Sequence, residues 1–171
     1  EMTVTGTSAT GGIGVSAVNE ATGSLLLTMT GAVVGNSGLG VRALNKVMGV
    51  GLSVNVASVT ATTEGIYAVN RGSGALSVTS TGAVTGISRY GIRADSFGTN
   101  MTISTAAVSG GFDGIFVKNF GSGTFSLTST GNVTGVRHGI FAQNMTGTNL
   151  TVAATSVSGN LGIHALNEGD G

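Results

Sequence analysis

The sequence predicts an all-β fold: a single-chain right-handed parallel β-helix of about seven coils, each of about 24 residues and three short strands. Three observations lead there. Long strings recur, as in Leu76-Ser-Val-Thr-Ser-Thr-Gly-Ala-Val-Thr-Gly86 and Phe125-Ser-Leu-Thr-Ser-Thr-Gly-Asn-Val-Thr-Gly135, or Gly65-Ile-Tyr-Ala-Val-Asn70 and Gly139-Ile-Phe-Ala-Gln-Asn144. Apolar and polar residues alternate at period two in short runs, the signature of half-buried strands. Glycine supplies 31 of the 171 residues, with no proline and no cysteine; the usual glycine share is about 7%.

The units begin at Met2, Leu25, Leu52, Leu76, Met101, Phe125 and Leu150, at spacings of 23, 27, 24, 25, 24 and 25 residues. They cover residues 1–171 as one repeat domain. Two flavours alternate: the second apolar residue of the unit lies six places before Val33, Val84 and Val133 but five before Ala9, Val59, Val108 and Val157. The duplicated element is therefore a pair of units.

Each unit contains three runs, in the order Leu76–Thr79, Ala83–Thr85 and Gly91–Ala94 in the fourth unit. The first run places Met2, Leu25, Leu52, Leu76, Met101, Phe125 and Leu150 in one column, and Val4, Leu27, Val54, Val78, Ile103, Leu127 and Val152 in the next. The second run stacks Ala9, Val33, Val59, Val84, Val108, Val133 and Val157. The third stacks Val15, Val41, Ile66, Ile92, Ile115, Ile140 and Ile163, followed by Ala17, Ala43, Ala68, Ala94, Val117, Ala142 and Ala165. Glycines between runs suit corners. One coil cannot bury its own apolar edge, so coils stack and share a core. The right hand follows from the crossover rule for parallel strands, and strands about 4.8 Å apart make seven coils a rod of about 34 Å.

A structural asparagine ladder closes each coil: Asn19, Asn45, Asn70, Ser96, Asn119, Asn144 and Asn167. Asparagine tolerates left-handed backbone and bonds locally at turns, and stacked amides can bond along the rod.

Zero net charge removes the electrostatic footprint that nucleic acid or an anionic membrane needs. Without cysteine there is no disulfide or thiolate metal site, and no apolar run is long enough to insert in a bilayer. No G-x-S-x-G or G-x-G-x-x-G string occurs. The acids Glu1, Glu20, Glu64, Asp95, Asp113, Glu168 and Asp170 read as scattered over corners, with Asp95 and Arg93 not expected to share a face. His138 and His164 fall in different columns, and Gly110-Gly-Phe-Asp-Gly114 occurs once, where a calcium repeat needs tandem copies. The expectation is no catalytic residue, no metal site and no cofactor.

Two outward surfaces stand out. The first strand presents eleven Ser or Thr at 14 outward positions, similar to the arrays of ice-binding solenoids but interrupted by Leu26, Asn55 and Ala153; an uncharged solvated face is expected. The third strand presents a candidate contact stripe, Arg42, Tyr67, Arg93, Phe116, Phe141 and His164, below Ser16 and beside Phe97 and Phe120. Such rings either stack on one another or make protein and glycan contacts. N-x-T strings begin at Asn100, Asn132, Asn144 and Asn149.

The "GIxAxN" corners and "TSTGxVTG" strings resemble the passenger regions of bacterial type V autotransporters and related large exoproteins and adhesins. That resemblance implies secretion to the surface of a Gram-negative cell and a β-helical stalk used in adhesion, biofilm or display. No signal peptide is read at Glu1, and neither end reads as capped. From Gly162 to Gly171 and on through Glu1 and Met2 of a copy, the spacing keeps phase. Expected partners are flanking repeats or copies stacked end to end, with a host glycan or protein as a further partner. The alternatives to a fibre segment are a head-to-tail extracellular filament subunit and a glycan-binding module using the stripe.

Overall fold

Residues 1–169 are described by the computed structural model; Asp170 and Gly171 lie outside the described residues. Among the described residues every element is a strand, and every strand pairing is parallel. The chain winds as a β-solenoid of seven coils. The first and second runs of all coils form one ten-stranded sheet, and the third runs form a seven-stranded sheet.

Register matches the columns residue for residue. Met2 pairs with Leu25, Leu25 with Leu52, and so on to Phe125 with Leu150. Val15, Val41, Ile66, Ile92, Ile115, Ile140 and Ile163 line up in the seven-stranded sheet. All five apolar columns are buried throughout coils 2 to 6, while Met2, Val4, Ala9 and Val15 below and Leu150, Val152 and Val157 above are only partly covered. Burial of this kind contributes about 25 cal/mol per Å² of apolar surface.

Three details differ from the sequence reading. First, three separate strands per coil occur only in coils 1, 4 and 5. In the others the first two runs fuse, as in Gly23–Gly35, Gly49–Ala61, Phe125–Thr134 and Leu150–Ser158. The extra residue of the longer flavour is absorbed as a bulge, between Met29 and Ala32 and between Ser129 and Asn132. In coils 2 and 6 the longer flavour is thus a one-residue bulge through which the strand continues, whereas in coil 4 the strand breaks between Ser80 and Val84.

Second, a sixth inward column follows the first run. It contains Met29 and Val56 but then Ser80, Thr105 and Ser129, all buried. Its polar members hid it from a search for apolar columns.

Third, the corners do not use left-handed backbone at asparagine. Among the described residues no non-glycine has positive φ, and among the described glycines only Gly23 does. Glycine is required instead by close approach of coils. Immediately before the aligned aliphatic of each third strand stands Gly14, Gly40, Gly65, Gly91, Gly114, Gly139 or Gly162. A Cβ on Gly40 would lie 2.7 Å from the carbonyl oxygen of Gly65 and 2.2 Å from Val59 Cγ1, and Gly91 and Gly114 repeat that clash.

Candidate functional site

The two sheets present unlike faces. No strand of the ten-stranded sheet contains a charged residue, and its one aromatic side chain, Phe125, is buried. All seven cationic side chains (Arg42, Lys46, Arg71, Arg89, Arg93, Lys118 and Arg137) and the seven remaining aromatics lie on the third strands or the corners that flank them. The cationic side chains and the exposed aromatic rings are thus confined to that side.

The contact stripe comes together there in register: Arg42 beside Tyr67, Tyr67 beside Arg93, Arg93 beside Phe116, then Phe141 and His164. The Arg93 guanidinium lies 5.2 Å from the Tyr67 ring centre and 5.8 Å from that of Tyr90. Phe116 and Phe141 stack at 4.8 Å, and His164 meets Phe141 edge-on at 5.1 Å. Phe97 and Phe120 form a second stack at 4.7 Å. These distances equal the strand spacing, as expected for rings on equivalent residues of adjacent coils. Arg42 turns the other way, with Nη1 donating to Ser16 Oγ at 3.3 Å.

Behind the stripe lies a column that the sequence reading missed. Two residues before each third-strand aliphatic stand Ile13, Leu39, Glu64, Tyr90, Asp113, His138 and Leu161. Glu64, Tyr90, Asp113 and His138 are all buried. Counting back two places from the aligned aliphatic would have found them.

Asp113 is fully enclosed. Its Oδ1 accepts from Arg137 Nε at 3.1 Å and from the His138 backbone amide at 3.0 Å, and lies 3.0 Å from His138 Nδ1. Its Oδ2 accepts from Arg137 Nη2 at 2.6 Å. This two-pronged pair raises the Arg137 guanidinium above its ordinary value, the hydrogen bond to Asp113 being the main cause. Arg137 also covers the Phe112 ring at 4.2 Å. Glu64 meets Arg89 Nη1 at 3.1 Å and Arg93 Nη1 at 4.0 Å. Burial pushes the Glu64 carboxyl above its ordinary value, and the two guanidiniums only partly offset it.

Two expectations are corrected. Arg93 and Asp95 do share a face, with Nε and Oδ2 3.8 Å apart, because residues two apart on a strand project to the same side. His138 and His164 belong to different columns but to adjacent coils, and their rings lie 5.5 Å apart. Three of the acids are therefore gathered with cations and not scattered: Glu64, Asp95 and Asp113 each lie within ion-pair distance of an arginine, and Glu64 and Asp113 each fasten one coil to the next. Among the described residues no three His, Asp or Glu side chains converge as a metal site would require.

The asparagine ladder is present as amide bonds. Asn19 Nδ2 donates to Asn45 Oδ1 and Asn45 Nδ2 to Asn70 Oδ1, both at 2.8 Å. Asn119 bonds to Asn144 at 2.8 Å and Asn144 to Asn167 at 2.7 Å. The side-chain oxygens of Asn19, Asn70 and Asn119 accept from backbone amides two residues on, at Ala21, Gly72 and Gly121. Asn144 is buried in this ladder, whereas Asn100, Asn132 and Asn149 are exposed.

The fold and its two-faced surface define a parallel β-solenoid with a charge-free hydroxyl side and a cationic, aromatic side. Comparison with protein-family models, with curated proteins and with solved structures gives no match to this chain.

Proposed function

We propose that the chain is a structural segment of a secreted or cell-surface bacterial β-helical fibre, a stiff rod serving adhesion, biofilm formation or display. The bacterial setting rests on the recurring "GIxAxN" and "TSTGxVTG" strings.

Gly162 is the observation that supports the rod reading most directly. In coils 1 to 6 the equivalent glycine is required by the coil stacked on it, whose carbonyl oxygen would meet a Cβ at 2.5–2.8 Å. At Gly162 the nearest atom to a Cβ would be Val157 O at 3.8 Å, an ordinary contact. A glycine there has a physical reason if a further coil sits on this face. Asn167 repeats the pattern by continuing the ladder to an exposed position. Ile163, whose column is buried in coils 3 to 6, is 49% exposed. Coils of a longer array and head-to-tail copies of the chain would use the same face.

Electron microscopy of the purified chain beside Gly162→Val tests the stacking. Rods longer than one unit of about 34 Å, shortened to that unit by the substitution, support it. Rods of one unit in both proteins overturn head-to-tail stacking of copies and leave the segment of a longer array; rods longer than one unit that Gly162→Val does not shorten overturn the role of this face.

A further inference from the structure

We propose that the outward face of the seven-stranded sheet, from coil 2 to coil 5, binds an acidic polysaccharide that carries carboxylates at intervals along its chain. The proposal does not rest on the fibre reading, since it concerns the side of the rod and not its end.

Charge complementarity is the first ground. The chain is neutral as a whole, yet its cations are all on one side. The acids on that side are mostly spent internally: Glu64 answers Arg89 at 3.1 Å, and Asp113 answers Arg137 at 2.6 Å. Asp95 lies near Arg93 and is the register partner of Lys118. Among the described residues, Arg42, Lys46 and Arg71 have no carboxylate within ion-pair distance. The exposed acids Glu20 and Glu168 lie on coils 1 and 7, outside this stretch, so what solvent meets between coils 2 and 5 is positive.

Shape is the second ground. Lys46, Tyr67, Val69 and Arg71 line one shallow depression on coils 2 and 3. A larger one, of about 330 Å³, lies on coils 4 and 5. Asp95 and Lys118 floor the latter, between the Phe97–Phe120 stack on one side and Tyr90 and Phe116 on the other. Arg93 joins the two, lying by both Tyr67 and Tyr90. Together they form a track along the rod, about 14 Å long over three coil spacings.

The rings define the ligand further. Because Phe97 stacks on Phe120 and Phe116 on Phe141, their faces are largely occupied by one another. Stacked rings turn their electropositive edges outward. Such a wall favours ligand oxygens over the flat stacking of a sugar ring. The density of cations also discriminates. Duplex DNA carries a charge about every 1.7 Å, far denser than the few unanswered cations along this track, so a sparsely charged chain is the better match.

The test uses the whole chain and isothermal titration with three probes: alginate oligosaccharides, neutral cello-oligosaccharides and oligothymidylate. The variant is Lys46→Gln with Arg71→Gln, both exposed and outside the buried ion pairs. Alginate is expected to bind. Its binding should weaken between about 0.01 and about 0.15 M salt, as the Debye length falls from about 30 to about 8 Å. The double variant should bind about tenfold or more weakly, with an unchanged unfolding temperature. No alginate binding, equal binding of the neutral sugar, tighter binding of oligothymidylate, or full affinity in the double variant would each overturn the proposal.

Discussion

Asn70 donates from Nδ2 to the carbonyl oxygen of Gly74 at 2.8 Å, while Ser96, its register partner in the next coil, holds a buried hydroxyl with no partner. The amide ladder is thereby split into a lower part, Asn19 to Asn70, and an upper part, Asn119 to Asn167. Every other coil accommodates asparagine at this position. Ser96→Asn should join the two parts and satisfy a buried group, worth about 1 kcal/mol. The expected result in thermal denaturation is a rise of about 2–4 °C for a chain of this size. A fall would mean that this corner, one residue tighter than its neighbours, cannot take the amide.

Gly139 and Gly162 occupy equivalent positions with opposite requirements. A Cβ at Gly139 would lie 2.2 Å from Val157 Cγ1 and 2.8 Å from the Gly162 carbonyl oxygen. Gly139→Ala should cost about 2–3 kcal/mol through overpacking. Gly162→Ala should stay within about 0.5 kcal/mol in the unassociated chain. Equal effects in a denaturant titration would contradict the stacking explanation of these glycines.

Asp113→Ala should be the most damaging surface-side substitution. It removes both prongs of the Arg137 pair and leaves the buried His138 amide without its acceptor. Arg137 is partly exposed and water can take up its charge, so the cost is that of the unsatisfied buried amide and the lost charged hydrogen bonds, about 2–3 kcal/mol. A change below about 1 kcal/mol, the range of exposed pairs, would show that water replaces the carboxylate.

In the sixth column, Thr105 Oγ1 is buried without a partner, whereas Ser129 Oγ donates to the Ala106 carbonyl at 2.8 Å. Thr105→Val should therefore stabilise by about 1 kcal/mol, and Ser129→Ala should destabilise by a similar amount. Opposite signs in parallel melts are the check.

Glu64 and Asp95 both have carboxyl values raised above 4.5 and 3.8 respectively, with burial the first cause in each. A raised carboxyl means that the native state holds a proton the unfolded chain has released. Stability from these groups is therefore highest at acid pH and declines as pH rises from the ordinary value through the raised native one. Wild type should lose more stability than Glu64→Gln across that interval. A variant with the same pH profile as wild type would remove Glu64 from the account.

The apolar columns, the register of all three runs and the asparagine positions were legible before any coordinates. Each depends on period-two alternation and a recurring spacing, which stacking simply copies from coil to coil. Leu76 over Leu52 and Ile92 over Ile66 needed only counting. The buried Glu64, Asp113 and His138 were harder because they sit where corner length varies: four residues separate Gly86 from Gly91, three separate Gly110 from Gly114, and two separate Gly11 from Gly14.

The sequence by itself determined the solenoid, its coil boundaries and its core, because a repeat whose apolar residues keep phase has one efficient way to bury them. Tertiary structure alone decided which charges meet. Arg137 finds Asp113 24 residues away because adjacent coils bring their corners within hydrogen-bond reach. It also decided why glycine recurs before the aligned aliphatic of the third strand: the space over its Cα belongs to the next coil, a constraint that no property of the residue's own neighbours along the chain can express.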